Sequence, residues 1–373
     1  MPPIDNPKRF PGETDEAYPE VFTIKPPQPT EKKPGQLPQH MIDQYFNDGY
    51  VIVDKFFDCE KDLEPCKKAI EQDVDKLANK LFKGGKIKQL YNEYGLRDRL
   101  IHIENEFPGA NIILHKSATL AQAYRDLWTS ERLLNVVEQF IGPEISGSPI
   151  WNLRTKTPNN EATTVPWHQD SAYLDNRAYQ ILQPTAWIPL IDATEYNGCM
   201  RVVSGGHRTG KVALHQCCWG GTTYVMVEEA EMTKTLGVDM EKDVVPCPVP
   251  YGGMLLINNA IPHHSLPNLS DEIRWSLDLR WQKTGLPASF YDLQECVEFR
   301  SPTKPNLKID WSQYDDENRH HVAAKDMEDE KTEEVDEDFD ITIQGPWMRK
   351  WEIVHTNPHT DGLKEGNVYS KSH

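Results

Sequence analysis

The sequence lacks three features that would each assign it to a large class of proteins. No run of about 18 uncharged apolar residues occurs in the 373-residue chain, so we expect no transmembrane helix and no membrane partner. The first residues show neither the basic nor the apolar region of a secretory signal, and we therefore expect a cytoplasmic protein. No Cys-x-x-Cys pair is present, and we interpret the seven cysteines as reduced thiols rather than a disulfide scaffold.

Positive charge is also scarce. The 58 Asp and Glu residues outnumber the 40 Lys and Arg residues, and the formal net charge of −18 makes nucleic acid an unfavourable partner. Part of this charge is local, because residues 325–340 contain ten acidic residues and two lysines, a net −8. We interpret that stretch as a solvated loop. The sequence carries no indication of oligomeric state.

Composition divides the chain into three parts. Residues 1–38 contain ten prolines and few regularly spaced apolar residues, so we predict an extended arm. We predict a single domain over residues 39–300, with a helical part at 39–145 and a β-rich core at 146–285. The remaining residues, 301–373, are predicted to form a peripheral acidic and polar tail.

Apolar periodicity predicts a mainly β fold with flanking helices. Helical spacing covers residues 41–48 and ends at Gly49, a residue typical of the position just past a helix. Helical patterns also cover about 60–83 and 117–141, and residues 50–53 have the composition of a strand. Short apolar runs separated by turn residues then predict the strands of a sandwich or barrel, at 186–191, 200–203, 244–245, 254–257 and 274–281.

The stretch 165–170 contains a candidate pair of metal ligands. If it forms a strand, His168 and Asp170 point to the same side because side chains alternate along a strand. An imidazole and a carboxylate supply two of the three ligands of a metal centre that keeps open positions. Such a tripeptide is a weak indication by itself, because it arises often by chance.

Two later stretches could complete that centre. Residues 261–270 include adjacent histidines, His263 and His264, either of which could be a third ligand from a remote strand. In residues 273–281, alternation places Arg274 on one face together with Ser276 and Asp278. A guanidinium pointing inward suits a carboxylate, which it can bind through two hydrogen bonds.

These blocks, together with residues 48–53 and 197–207, resemble the phytanoyl-CoA dioxygenase family in content and order. The resemblance covers roughly residues 40–285. It implies a double-stranded β-helix (jelly-roll, cupin-like) core and an oxygenase that depends on Fe(II), 2-oxoglutarate and O2. It further implies that His168, Asp170 and a distal histidine bind the iron.

The family pattern also distinguishes the two adjacent histidines. It has a serine two residues after the ligand, an asparagine five after and an arginine eleven after. Counting from His264 gives side chains unsuited to these roles, Leu266, Leu269 and Trp275, whereas counting from His263 gives Ser265, Asn268 and Arg274. The resemblance therefore implies that His263 binds iron and that Arg274 and Ser265 bind the distal carboxylate of 2-oxoglutarate.

The expected activity is hydroxylation of a small-molecule metabolite, with release of succinate and CO2. The net charge disfavours a polyanionic CoA ester and favours a small free metabolite, zwitterionic or cationic. Two alternatives stay open. A metal-dependent cupin-like hydrolase would use the same three ligands but leaves Arg274 without a role, and a catalytically silent β-helix binding protein would not need an intact ligand set.

Overall fold

The structure is a computed structural model that describes residues 10–315, 338–361 and 363. The first nine residues of the predicted arm and residues 325–337 of the predicted acidic loop lie outside the described residues. Within the part that is described, no helix is both long and apolar enough to cross a bilayer.

Most helices of the described chain precede the β-rich region. They are, in chain order, α1 (Pro19–Thr23), α2 (Gln39–Asp48), α3 (Glu64–Lys83), α4 (Arg99–Glu106), α5 (Ala110–Ser117), α6 (Gln122–Trp128), α7 (Glu131–Ile141), α8 (Glu229–Leu236) and α9 (Ser312–Asp315). The predicted end of α2 is confirmed, because Gly49 has a φ of 87° and caps the helix through its N–H to Tyr45. The single helix predicted for 117–141 is two helices, interrupted at residues 129 and 130.

The strands are short, except for one long central strand. They are β1 (Tyr50–Val53), β2 (Ile145–Gly147), β3 (Asn152–Lys156), β4 (Thr185–Pro189), β5 (Met200–Val203), β6 (Gln216–Cys217), β7 (Val244–Cys247), β8 (Met254–Ile257), β9 (His263–Ser265), β10 (Arg274–Lys283), β11 (Val297–Arg300) and β12 (Glu352–Ile353). The larger sheet has the order β1-β8-β4-β10-β2-β11, with β3 also paired to β10. A second sheet has the order β7-β5-β9, and the neighbours within both sheets are antiparallel.

Alternation along the strands gives the larger sheet two different faces. One face packs against the helices, and β10 contributes Trp275, Leu277 and Leu279 to this core. The opposite face lies towards the smaller sheet, where Trp187 and Leu255 share a core with residues of β5 and β7. The predicted double-stranded β-helix core with flanking helices is confirmed.

Parts of the two chain ends pack onto this core. Phe22 is buried, and the N–H of Leu37 donates to the side-chain oxygen of Gln139. In the C-terminal part, Trp351 is buried and donates through its indole N–H to the carbonyl of Ala172. The division into arm, domain and tail stays a prediction.

One expectation about the cysteines is wrong. Cys217 and Cys218 are joined by a disulfide, although we expected reduced thiols at both positions. The structure leaves Cys59, Cys66, Cys199, Cys247 and Cys296 as free thiols.

Candidate metal centre

The backbone brings His168 and His263 side by side. The N–H of His168 donates to the carbonyl of His263 at 3.0 Å, and the N–H of His263 donates to the carbonyl of His168 at 2.9 Å. This exchange is an antiparallel bridge between residues far apart in sequence. As a result the two imidazole centroids lie 4.2 Å apart.

Hydrogen bonds to main-chain carbonyls fix the tautomer of both rings. Nδ1 of His168 lies 2.8 Å from the carbonyl oxygen of Pro166, and Nδ1 of His263 lies 3.0 Å from that of Ile261. A carbonyl oxygen only accepts, so each Nδ1 carries the proton. Each Nε2 then keeps a free lone pair, which is the form that binds a metal.

Asp170 completes the group from a turn rather than from a strand. The expectation that His168 and Asp170 share a strand is wrong, because Asp170 begins a 3-10 turn that ends at Tyr173. Its Oδ1 nevertheless lies 3.5 Å from Nε2 of His168 and 3.7 Å from Nε2 of His263. The three buried side chains offer ligand atoms that all lie within 4.8 Å of one another.

Arg280 orients the carboxylate. Its Nε and one terminal nitrogen donate to Oδ2 of Asp170 at 3.1 and 2.8 Å, which leaves Oδ1 facing the imidazoles. The sequence analysis did not single out Arg280. The alternation that placed Arg274, Ser276 and Asp278 on one face of the strand extends to residue 280, so the same pattern could have found it.

The electrostatics of the group suit a divalent cation. Burial alone raises the pKa of Asp170, but Arg280 and the two histidines outweigh burial and hold that pKa well below its usual range. Burial, together with His168, lowers the pKa of His263 to about 4. At neutral pH the site therefore presents a carboxylate and a neutral imidazole from these two residues. Two imidazole nitrogens and one carboxylate oxygen match the donor set of a non-haem Fe(II) centre.

A small cavity of about 60 Å³ adjoins the three candidate ligands, and Ser265 and Arg274 lie in its wall. Arg274 is buried beside Ser276, to which it donates at 2.8 Å, and its guanidinium lies 5.0 Å from the ring centroid of Trp187. Burial lowers the pKa of Arg274 to about 10, so it remains protonated at neutral pH. We call this space the smaller cavity.

Lys156 is a further cation in the wall of the smaller cavity. Its Nζ donates to the hydroxyl of Ser265 at 3.0 Å and to the carbonyl of Thr163 at 2.8 Å. Burial, followed by the nearby charges of Arg274 and Arg154, lowers the pKa of Lys156 well below its usual range. The burial of Lys156 is unusual, because lysine side chains are normally exposed.

A larger cavity of about 220 Å³ also has Asp170 and Arg280 in its wall. Its wall includes Trp347, which comes from the predicted tail and donates its indole N–H to the carbonyl of Thr223. Nothing local in the sequence associates residue 347 with this site.

The C-terminal part also supports the turn that carries Asp170. The side chain of Lys350 is buried, and its Nζ donates to the carbonyls of Ser171 and Leu174. These two carbonyls belong to residues one and four positions after Asp170. Lys350 thus fixes the backbone on which the carboxylate is carried.

The remaining candidate histidines lie away from the centre. The ring of His264 packs against Trp167, with centroids 4.0 Å apart, and belongs to the opposite face of β9 from His263. Nε2 of His207 lies 3.0 Å from the carbonyl of Phe46, and Nε2 of His215 accepts from the N–H of Gln169. His207 and His215 thus make structural hydrogen bonds and are not part of the candidate centre.

Comparison with known proteins gives several matches. 1-Deoxypentalenic acid 11-beta-hydroxylase from Streptomyces arenae is 29% identical over 183 residues, which are 45% of this chain and 59% of that protein. Phytanoyl-CoA dioxygenase domain-containing protein 1 from Danio rerio is 32% identical over 114 residues, 29% of this chain and 35% of that protein. The chain thus matches less than two thirds of the length of either relative.

Among solved structures, the apo form of the non-heme monooxygenase ThoJ is 18% identical to this chain, with a TM-score of 0.46. That match covers 70% of this chain and 84% of ThoJ. The family model described as Phytanoyl-CoA dioxygenase (PhyH) matches residues 45–276, which is more than half of the chain and includes all three candidate ligands. The chain belongs to the phytanoyl-CoA dioxygenase (PhyH) family, and its cofactors are those that the resemblance implied, Fe(II), 2-oxoglutarate and O2.

Proposed function

We propose that this protein is an Fe(II)- and 2-oxoglutarate-dependent dioxygenase that hydroxylates a small-molecule metabolite. His168, Asp170 and His263 are the proposed iron ligands, and Arg274 with Ser265 is the proposed site for the distal carboxylate of 2-oxoglutarate. The observation that carries the proposal is the convergence of two Nε2 atoms and one carboxylate oxygen beside a cavity whose wall contains a buried arginine. The name of the Streptomyces arenae relative, a hydroxylase, supports the reaction type.

In the proposed reaction, oxidation of the co-substrate 2-oxoglutarate accounts for the second oxygen atom of O2. When bound, Fe(II) would supply the activation of O2. The reaction would oxidise 2-oxoglutarate to succinate and CO2 and convert a substrate C–H bond to C–OH. One oxygen atom goes to succinate and the other to the product.

The chain's own residues hold and separate the reactants. Arg280 keeps one oxygen of Asp170 turned to the metal, and the main-chain bonds to Nδ1 keep both histidines in the metal-binding tautomer. The two cavities adjoin at this centre, because Asp170 and Arg280 line both. In this proposal the co-substrate occupies the smaller cavity and the substrate the larger one.

Anaerobic titration tests the proposal directly. Adding Fe(II) and then 2-oxoglutarate to the metal-free protein is expected to produce a visible charge-transfer band near ~500 nm, because both co-substrate oxygens bind the same ion. A hydrolase or a catalytically silent domain would give no such band. In air, succinate must then appear in step with a hydroxylated product when candidate metabolites are supplied.

Neighbouring histidines provide a matched pair of variants. His263→Ala is expected to abolish the band, since one of the three ligands is lost, whereas His264→Ala is expected to keep it because that ring faces away from the centre. Both variants remove an imidazole from the same short strand, so a general effect on folding would appear in both. A band retained in His263→Ala would overturn the proposed ligand set.

A further inference from the structure

The wall of the larger cavity is mainly apolar. Apolar side chains from several separate parts of the chain form much of it: Ile112, Ile150, Leu153, Leu174, Phe290 and Trp347. Its volume of about 220 Å³ is below the 300–1,000 Å³ or so that is usual for sites of drug-sized ligands. The space therefore fits a compact molecule with an apolar body.

The charged groups of this wall are not distributed evenly. Asp170 is the only acidic side chain that lines the larger cavity within the described part of the chain, and it is occupied by Arg280 and by the proposed metal. Arg154, in contrast, lines both cavities. Its Nε donates to Asp278 at 3.0 Å, and its side chain keeps 29% of its surface exposed.

Tyr224 adds a neutral donor beside Arg154. It lines both cavities, and its hydroxyl bonds to no described residue. Burial raises the pKa of Tyr224, so the hydroxyl remains protonated at neutral pH and can donate. A guanidinium and a phenol hydroxyl together form a site for an anion.

The charges around the metal centre leave a positive excess. Three buried or half-buried arginines face two aspartates there: Arg154, Arg274 and Arg280 against Asp170 and Asp278. Fe(II) and the 2-oxoglutarate dianion bring two positive and two negative charges, which cancel. One positive charge therefore remains unbalanced even when Lys156 is counted as neutral, and buried charge is stable only when it is paired.

We propose that the substrate is a compact apolar carboxylic acid, bound with its carboxylate on Arg154 and Tyr224 and its apolar body in the larger cavity. This inference rests on the proposed function and names the substrate class of that site. It reverses the preference for a zwitterionic or cationic metabolite drawn from the overall charge, because the net charge of −18 is distributed over the whole chain. Among the residues that the structure describes, the cavity itself offers no uncommitted carboxylate to a cation.

Three probes that share one hydrocarbon cage separate charge from shape. Adamantane-1-carboxylate, adamantane-1-methanol and adamantane-1-methylamine are titrated calorimetrically into the anaerobic protein loaded with Fe(II) and 2-oxoglutarate, at neutral pH. The carboxylate is expected to bind on the order of tenfold more tightly than the alcohol, since a charge-assisted hydrogen bond replaces a neutral one. The amine is expected to bind more weakly than the alcohol.

Variants assign the preference to Arg154. Arg154→Gln is expected to bring the carboxylate and the alcohol to within about twofold of each other, and Arg154→Lys to keep part of the preference because it keeps the charge. Arg97→Gln is the matched control, since this exposed arginine pairs with Glu272 and lines neither cavity. It changes the net charge equally and is expected to leave all three affinities unchanged.

The visible band of the loaded protein separates failure of this inference from failure of the proposed function. No band with Fe(II) and 2-oxoglutarate overturns the proposed function and this inference with it. With the band present, the inference is overturned by equal affinity for the three probes, by preference for the amine, or by no carboxylate binding up to about 1 mM. A carboxylate preference that survives in Arg154→Gln, with the band intact, overturns the assigned residue.

Discussion

The two cavities that share Asp170 in their walls are built by different means. In the smaller cavity, Lys156, Trp187, Ser265 and Arg274 belong to strands whose positions are fixed by backbone ladders. The larger cavity takes part of its wall from helix α5, from loops and from the C-terminal part, which side-chain contacts hold in place. Ladder hydrogen bonds preserve a geometry that every turnover needs, whereas loops can change to suit a substrate.

The largest effect is expected on the co-substrate side. Arg274→Leu removes the cation at the end of the smaller cavity, and loss of a buried charged partner costs about 3 kcal/mol, or on the order of 100-fold. The concentration of 2-oxoglutarate that half-saturates the visible band should rise accordingly. Binding of adamantane-1-carboxylate to the larger cavity should fall by much less, because Arg274 does not line that cavity, and an equal loss there would contradict the assignment of the two ligands to two cavities.

Arg280 lines both cavities and contacts Asp170, so its replacement should reduce the affinity for the metal more than the affinity for either organic ligand. Arg280→Gln frees Oδ2 of Asp170, and loss of a group that orients a metal ligand typically costs about 10- to 100-fold in metal affinity. Calorimetry with Fe(II) under anaerobic conditions, in the absence of 2-oxoglutarate, measures this directly. Arg280→Lys keeps the charge and should recover part of the affinity; equal affinity in wild type and Arg280→Gln would show that Asp170 needs no orientation.

A smaller effect is expected from the substrate side. Trp347→Ala removes apolar surface from the larger cavity, which corresponds to about 1.4 kcal/mol, or tenfold, in affinity for an apolar ligand. The affinity for adamantane-1-carboxylate should fall by this factor while the 2-oxoglutarate midpoint stays the same. If the midpoint moved as much as the probe affinity, the two cavities would have to be regarded as one site.

The smallest effect concerns how the C-terminal part is held. Lys116 donates from Nζ to the carbonyls of Asp340 and Thr342 and to the Asp340 carboxylate, all within 3.0 Å. Lys116→Met should weaken this attachment by about 1 kcal/mol, which makes amide exchange at residues 340–343 roughly fivefold faster.

A second lysine provides the control for that measurement. Lys80 pairs with Asp338, but both side chains are exposed, and exposed pairs contribute little. Lys80→Met should therefore leave exchange at residues 340–343 nearly unchanged. Equal acceleration in both variants would mean that general charge, rather than the buried contacts of Lys116, holds the segment.

The contrast between strands held by backbone ladders and segments held by side-chain contacts also explains what the sequence could predict. Period-two alternation in β10 predicted the inward position of Arg274, and the same period includes Arg280. Gly49 marked the end of α2 because the residue there needs a positive φ. Features that depend on one chain segment and its regular geometry were therefore accessible.

Features that depend on pairing between segments far apart in the chain could not be predicted from local sequence patterns. The bridge between His168 and His263 joins two segments that no periodicity relates, and the choice of His263 came from the family spacing. The 3-10 turn at Asp170 also departs from the strand that alternation suggested, because the turn is held by Asn259 and Lys350 from elsewhere in the chain. Trp347 enters the site by the same kind of contact.

The buried side chain of Lys350 has a practical consequence for work with this protein. The sequence predicts a peripheral tail for the last part of the chain, and a shortened version ending near residue 315 would be a natural choice for crystallisation. Such a version would lack the amine that holds the carbonyls of Ser171 and Leu174, in the turn that carries the proposed metal-binding carboxylate. Low iron content in that version would then reflect a missing support and would say nothing about the ligands themselves.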